Sequence, residues 1–323
     1  MSSTHTLEHS GVRWRTRVGR CPRAAVVRVL IGTAVVLASC RGNRTGDEIA
    51  RTQSAPGARS GTVASADGVP IHYTTSGDGD VAVVLVHCWT CNSSFWDDAV
   101  PVLSHDYLVV TLDLAGHGES GSQRSDYTLP AFAQDVAAVV QSLDLRRVIL
   151  VGHSMGGPVV LEAARLLGDR VIGVVGIDTL HRLDAPPTDE QIEQFVAPMR
   201  TDFPGFVHHY MSSLFAAGAD SALVARYTDQ MSRISPNVGI SAIENLFRQD
   251  LRPVAHELSV PVRLIVSPRY PVDVEAWRAA GADFDFVVMD GVGHFPMLTA
   301  PKRFDALLLT TVNEVAGKGA QTG

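Results

Sequence analysis

Cysteine is scarce in this chain. Only four cysteines occur in 323 residues, and two of them, Cys21 and Cys40, lie in the first 40 residues. The remaining pair, Cys88 and Cys91, can form at most one disulfide, which excludes the disulfide-rich framework of a small secreted domain. The fold must therefore depend on an apolar core, and 46% hydrophobic residues are sufficient to build one.

Charged residues are also few, at 19%, and positive charge is in deficit. The first 40 residues contain six arginines and one acid, so the rest of the chain has 21 basic and 33 acidic residues, a net charge of about −12. Such a surface repels a phosphate backbone, which argues against a nucleic-acid partner. We find neither an internal repeat nor a long low-complexity segment.

The arginine-rich start is followed by an uncharged apolar stretch, 29–40, that is too short to span a bilayer comfortably. This pattern predicts a signal peptide over residues 1–40. Its end, Leu37-Ala38-Ser39-Cys40, resembles the bacterial lipobox, so Cys40 is the predicted lipidation site. An uncleaved anchor and an ordinary secreted protein are the alternatives. In each case the folded part is expected outside the cytoplasm. If Cys40 is lipidated, the protein is expected on the periplasmic or cell-surface side of a bacterial membrane.

Residues 41–61 are rich in Gly, Ser, Arg and Thr and predict a flexible tether. From residue 62 to 316, after a leading hairpin, apolar runs alternate with helix-length segments, which predicts one α/β domain with a mostly parallel sheet flanked by helices. Residues 317–323 form the predicted tail. The β-branched runs expected as strands are 81–86, 107–112, 148–151, 171–177, 262–266 and 284–289. The helices expected to cover them are 129–143, 156–167 and 301–315.

The alternation stops between about residues 180 and 257. Apolar residues there recur at helical spacing with no strand between them, which predicts an inserted helical cap.

Ser154 is the candidate nucleophile. It lies in Gly152-His153-Ser154-Met155-Gly156, directly after a predicted strand and before a predicted helix, which is the setting of a nucleophile elbow. A serine hydroxyl also needs a base and hydrogen-bond donors for the developing oxyanion. The Met155 N–H at the helix start is one predicted donor, and Trp89, in the loop after the first long strand, is the other.

Four motifs carry a resemblance to the α/β-hydrolase fold superfamily, from about Gly68 to Val315. These are His87-Cys88-Trp89, the segment Asp113-Leu114-Ala115-Gly116-His117-Gly118-Glu119-Ser120, the pentapeptide around Ser154, and Gly291-Val292-Gly293-His294-Phe295-Pro296. The resemblance implies an α/β-hydrolase fold and makes His294 the general base and acid. It implies structural roles for His87, His117 and His153.

The triad acid has two candidates. In the resembled family an aspartate usually follows the strand represented by 262–266, but Tyr270 occupies that place. Asp178 ends the strand after the nucleophile helix, and Asp273 lies three residues beyond Tyr270. The strand end favours Asp178. The structural alternatives are a buried carboxylate for Asp178 and a helix N-cap for Asp273.

Cys88 replaces the usual glycine of the resembled family and creates Cys88-Trp89-Thr90-Cys91. A redox-active thiol pair is one interpretation, but no thioredoxin-like context surrounds it. The default interpretation is that both are small buried residues. Outside the cytoplasm the two cysteines could also form a disulfide.

A serine nucleophile predicts an acyl-enzyme, and therefore hydrolysis of a small or medium carboxylic ester. Carbon–carbon bond hydrolysis or perhydrolysis on the same scaffold and a non-catalytic, lipid-anchored binding protein are the alternatives. No motif requires a metal or an organic cofactor. The expected partners are an ester substrate and, through Cys40, a membrane, and the oligomeric state is not predictable.

Overall fold

A computed structural model describes residues 57–317. The predicted signal peptide, Cys40, most of the predicted tether and residues 318–323 lie outside this range.

The sheet follows from runs of branched apolar residues that are buried on both faces. Within residues 57–317 the sheet has eight strands, of which the last six in chain order run parallel to one another, while the first two pair in antiparallel fashion. The order across the sheet is β1-β2-β4-β3-β5-β6-β7-β8. The strands are β1 Arg59–Ala64, β2 Pro70–Ser76, β3 Ala82–Val86, β4 Leu108–Leu112, β5 Val148–His153, β6 Val171–Ile177, β7 Val262–Val266 and β8 Phe284–Val288.

The end of the predicted tether differs from the structure. β1 begins at Arg59, so the tether predicted over 41–61 overlaps the first strand. Arg59 and Ser60 are exposed, and they join the sheet through backbone pairing with Thr75 and Thr74. An edge strand held by its backbone needs no apolar side chains, and this is why composition missed it.

Helices cover the sheet. α2 packs against α3, and α1 packs against α11, while the Thr128 hydroxyl caps α2 by accepting a bond from the Ala131 N–H. Two short 3-10 helices are Ser93–Trp96 and Gly168–Arg170. The α-helices are α1 Ala99–Leu103, α2 Leu129–Ser142, α3 Gly156–Leu167, α4 Asp189–Thr201, α5 Phe203–Ser212, α6 Ser221–Met231, α7 Pro236–Arg248, α8 Arg252–Glu257, α9 Val274–Ala279, α10 Pro296–Thr299 and α11 Pro301–Val315.

The five helices α4–α8, between β6 and β7, form the cap. α4 packs against α5 and α7, and α5 packs against α6. Apolar side chains of α4, α5 and α7, among them Val196, Val207 and Val238, are buried and join the main core. Within residues 57–317, no helix combines the length and apolar character needed to cross a bilayer.

Candidate active site

Ser154 lies on a sharp turn between β5 and α3. Its φ of 52° is in the left-handed region, which a non-glycine residue adopts only when its surroundings hold it there. Three hydrogen bonds to its backbone do so. The Ser154 N–H donates to Ile177 O at 3.1 Å, and the Ser154 carbonyl accepts from the Gly157 N–H at 2.9 Å and from the Thr179 hydroxyl at 2.7 Å. The side chain is partly exposed at the carboxyl edge of the sheet.

The two glycines of the pentapeptide permit close backbone packing. A Cβ atom at Gly156 would lie 2.6 Å from the Val86 carbonyl oxygen and 2.8 Å from the His87 carbonyl oxygen, and one at Gly152 would overlap the Gly156 backbone. The start of α3 therefore lies directly against the end of β3. This contact places the beginning of the loop after β3, which carries Trp89, against the turn that carries Ser154 and Met155.

The backbone N–H groups of Trp89 and Met155 have no hydrogen-bond acceptor in the described part of the chain. Within residues 57–317 neither donates to another protein group, although both residues are at most 2% exposed. A buried N–H without a partner is uncommon, and it suits a site that binds an anion or a carbonyl oxygen. Met155 also lies at the N-terminus of α3, where the helix dipole favours negative charge.

His87 supports the loop after β3. Its Nε2 accepts from the Leu114 N–H at 3.0 Å, so its proton is on Nδ1, which donates to Cys88 O at 2.8 Å. Burial lowers the pKa of His87, and the ring stays neutral. Cys88 and Cys91 are both buried and are joined by a disulfide across this loop.

His294 lies in the loop between β8 and α10. Its N–H donates to Leu214 O, in the cap segment after α5, at 2.9 Å, and its carbonyl accepts from His153 Nε2 at 2.8 Å. Backbone contacts on both sides thus hold the residue. Neither its Nε2 nor Ser154 Oγ has a hydrogen-bond partner in the described part of the chain, so both are free for a substrate.

Asp178 is the carboxylate that meets His294. Its Oδ2 lies 2.6 Å from His294 Nδ1, and its Oδ1 accepts from the Ser267 N–H at 2.7 Å. Burial opposes ionisation, but the contacts with His181, His294 and the Ser267 N–H outweigh it, so the pKa of Asp178 lies well below its ordinary value. His181 contributes an electrostatic contact more than a well-aligned hydrogen bond, since its Nε2 is 3.5 Å from Oδ1.

Asp273 has a different role. It is the N-cap of α9, and its carboxylate accepts from the Ala276 N–H at 3.0 Å. Tyr270 is 48% exposed, and its ring packs against His181. The structure therefore brings one of the two candidate carboxylates to His294 and uses the other to start a helix.

His117 and His153 are buried neutral rings. Burial lowers the pKa of each to about 3. His153 donates to the His294 carbonyl, and its ring lies 4.9 Å from the His294 ring, so it supports that residue. His117 bonds Ala115 O and packs against Phe132.

Two neighbours of the site were missed by sequence reasoning. Thr179 holds the Ser154 carbonyl, and His181 faces Asp178. Both lie just beyond β6 in a segment without periodicity, and the only available signal was their closeness in sequence to Asp178.

The sequence of this chain is similar to those of proteins with the α/β-hydrolase fold. The family model described as "Alpha/beta hydrolase family" matches residues 83–307. The Karrikin insensitive 2 receptor CA of Petunia hybrida is 26% identical over 252 residues, which is 73% of this chain and 93% of the petunia protein. The pimeloyl-[acyl-carrier protein] methyl ester esterase of Edwardsiella ictaluri is 28% identical over 258 residues, or 74% of this chain and 95% of the esterase.

A thermophilic esterase from Thermogutta terrifontis superimposes with a TM-score of 0.70 at 24% identity, covering 80% of this chain and 99% of the esterase. At that identity the likeness is one of fold. The family match spans more than half of the chain, from within β3 to within α11. The chain therefore belongs to the α/β hydrolase family and is an α/β-fold hydrolase.

Proposed function

We propose that this protein is an exported, lipid-anchored serine hydrolase that cleaves a small or medium carboxylic ester through an acyl-enzyme. Ser154 is the nucleophile, His294 the general base and acid, and Asp178 the orienting carboxylate. The observation that carries the proposal is the 2.6 Å contact between His294 Nδ1 and Asp178 Oδ2, at the sheet edge where Ser154 lies.

Acylation begins when Ser154 Oγ attacks the ester carbonyl while His294 Nε2 takes its proton. An ionised Asp178 accepts the Nδ1–H, so Nε2 presents its lone pair, and the carboxylate stabilises the imidazolium that forms. The Trp89 and Met155 N–H groups bind the oxyanion. His294 then returns the proton to the leaving alcohol.

Deacylation repeats these steps with water. His294 takes a proton from water, the hydroxide attacks the acyl-enzyme, and the same two N–H groups bind the second oxyanion. The carboxylic acid leaves as the proton returns to Ser154. A hydrogen bond between Oγ and Nε2 is expected to form only with substrate, since such bonds are often long in free enzymes.

An ester is the substrate class that these groups support best. A serine nucleophile forms an acyl-enzyme with an ester. Opening of an epoxide ring by displacement would instead require a carboxylate nucleophile. The name of the Edwardsiella ictaluri relative specifies a methyl ester. The serine nucleophile thus favours ester hydrolysis over ring opening, and the name of this relative favours it over carbon–carbon bond cleavage.

Export and lipid anchoring rest on sequence alone. The arginine-rich start, the short apolar stretch and Leu37-Ala38-Ser39-Cys40 support diacylglyceryl transfer to the Cys40 thiol. The predicted tether that follows would then separate the hydrolase domain from the membrane surface.

A binding protein is the second candidate function, because a relative that matches along most of the chain is named a receptor. A fluorophosphonate probe distinguishes the two. We expect the folded protein to be labelled covalently at Ser154, as shown by peptide mass spectrometry, and to hydrolyse p-nitrophenyl acetate. A folded protein that is neither labelled nor active would contradict the hydrolase proposal and favour the binding one.

A further inference from the structure

We propose that the Cys88–Cys91 disulfide is a positioning element of the active site that holds the Trp89 N–H in its oxyanion-binding orientation. The proposal rests on the function proposed above for Trp89. It implies that the protein has full activity only when Cys88 and Cys91 are oxidised to the disulfide.

The disulfide closes the turn on which Trp89 lies. The Cys91 N–H donates to Cys88 O at 3.2 Å, and Trp89 and Thr90 are the two central residues of this four-residue turn. The Cα atoms of the two cysteines are 5.2 Å apart. The covalent bond thus spans the same two residues as the hydrogen bond that defines the turn.

Thr90 indicates that the turn needs such a restraint. Its φ is 61°, in the left-handed region that a β-branched residue rarely adopts, and its buried hydroxyl has no hydrogen-bond partner in the described part of the chain. Without the disulfide, the turn is closed by the single hydrogen bond from the Cys91 N–H to Cys88 O, and Thr90 can relax by rotation toward an extended conformation. That rotation would displace the neighbouring Trp89 N–H.

Other contacts of Trp89 hold its side chain, and its backbone N–H has no acceptor among the described residues. The indole Nε1 donates to Gly239 O of α7 at 2.8 Å, and the ring packs edge-on against Phe203 of α5. On the other side of the turn, the His87 ring bonds the Cys88 carbonyl. The Cys88 carbonyl and the Trp89 N–H belong to one peptide unit, so His87 restrains this unit through its oxygen, and the disulfide adds the covalent restraint that keeps the turn closed around it.

Reduction tests the restraint with no change of sequence. A water-soluble phosphine gives two electrons to the disulfide and is oxidised to its phosphine oxide, while water supplies the oxygen and the two protons that convert the sulfurs to thiols. Because both sulfurs are buried, the wild type is reduced in urea and refolded with the phosphine present. Alkylation and mass spectrometry then count the free thiols.

The experiment compares oxidised wild type, reduced wild type and the double variant C88A/C91A with p-nitrophenyl acetate. We expect kcat to fall roughly tenfold in reduced wild type and in C88A/C91A. This loss is smaller than the one seen when an oxyanion donor is removed altogether, which is about 10²- to 10³-fold. KM should stay within about twofold. The Ki of a phenylboronic acid, whose boronate mimics the tetrahedral intermediate, should rise by the same factor as kcat falls. The phosphine should not change the double variant.

Reduced wild type that is folded by circular dichroism and retains the oxidised kcat would overturn the proposal. Loss of the fold on reduction would also overturn it, since the bond would then stabilise the domain as a whole. If the double variant fails to fold, reduced wild type still decides. An oxidised wild type without turnover or fluorophosphonate labelling would instead contradict the proposed function, so the two failures are distinguishable.

Discussion

Asp178 Oδ2 lies 2.6 Å from His294 Nδ1, although 116 positions separate the two residues in the chain. Asp178 follows β6 and His294 follows β8. β7 lies between these strands in the sheet, and Ser267, directly after β7, donates its N–H to the second carboxylate oxygen. The carboxylate is thus held by groups from two neighbouring strand ends.

The first prediction concerns this carboxylate. D178N should lower kcat for p-nitrophenyl acetate roughly 10²- to 10⁴-fold, because an amide can donate to His294 Nδ1 and stabilise the wrong tautomer. D273A is the matched control, since it removes the side-chain cap of α9 and should cost about 1 kcal/mol of unfolding free energy with kcat unchanged. A larger loss of kcat in D273A than in D178N would reverse the assignment.

The second prediction concerns the nucleophile and the base. S154A and H294A should each lower kcat by at least roughly 10⁴-fold, because the covalent step needs both groups. S154A should lose fluorophosphonate labelling, and circular dichroism should show that both variants fold. Substantial turnover in S154A would mean that another nucleophile acts.

The third prediction is a pH dependence of stability. Burial lowers the pKa of His117 to about 3, below its unfolded value near 6.5. As the pH falls below 6.5 the unfolded chain binds a proton that the folded chain does not, so stability is lost. Between pH 7 and pH 5 this histidine should cost about 1–2 kcal/mol in urea unfolding.

The variant H117F isolates that contribution. A phenyl ring does not titrate and can keep the packing against Phe132, so the loss of stability between pH 7 and pH 5 should be smaller than in the wild type. At pH 7 the variant should itself be less stable by about 1 kcal/mol, because the bond to Ala115 O is lost. An equal pH dependence in both proteins would mean that His117 is not a neutral buried ring.

The fourth prediction concerns the anchor. C40S should move the protein from the membrane fraction to the soluble fraction of a bacterial host, since the residue that would receive the lipid is absent. C21S, which changes the other N-terminal cysteine outside the lipobox-like segment, should stay with the membrane. Membrane association of C40S at the wild-type level would argue against lipidation.

Much of the fold was predictable because the sheet is parallel and buried. A strand covered on both faces needs apolar residues at every position, and the predicted runs 171–177 and 262–266 match β6 and β7 to the residue. β1 was missed in part because it is an edge strand with exposed side chains. The cap helices are amphipathic, and the packing of α4 against α5 and α7 could not be predicted from periodicity.

The candidate site divides in the same way. Ser154 and His294 each lie in a short motif whose neighbours, such as Gly156, are needed for local backbone packing, and such motifs can be recognised in a sequence. For the acid, the strand end favoured Asp178, but sequence reasoning could not exclude Asp273, because each is an isolated aspartate with a sound structural alternative. His181 had only its closeness in sequence to Asp178 as a signal. The Trp89 indole bond to Gly239 had no sequence signal, since it joins segments 150 positions apart by tertiary packing.

The sequence by itself determined the alternation of strands and helices, the turn at Ser154 and the absence of a disulfide framework, because these depend on residue type over a few neighbouring positions. Only the tertiary structure decided which carboxylate meets His294. That choice depends on the order of β6, β7 and β8 in the sheet and on the Asp273 side chain being used by α9. Distance in space between residues far apart in the chain is set by packing and not by local propensity.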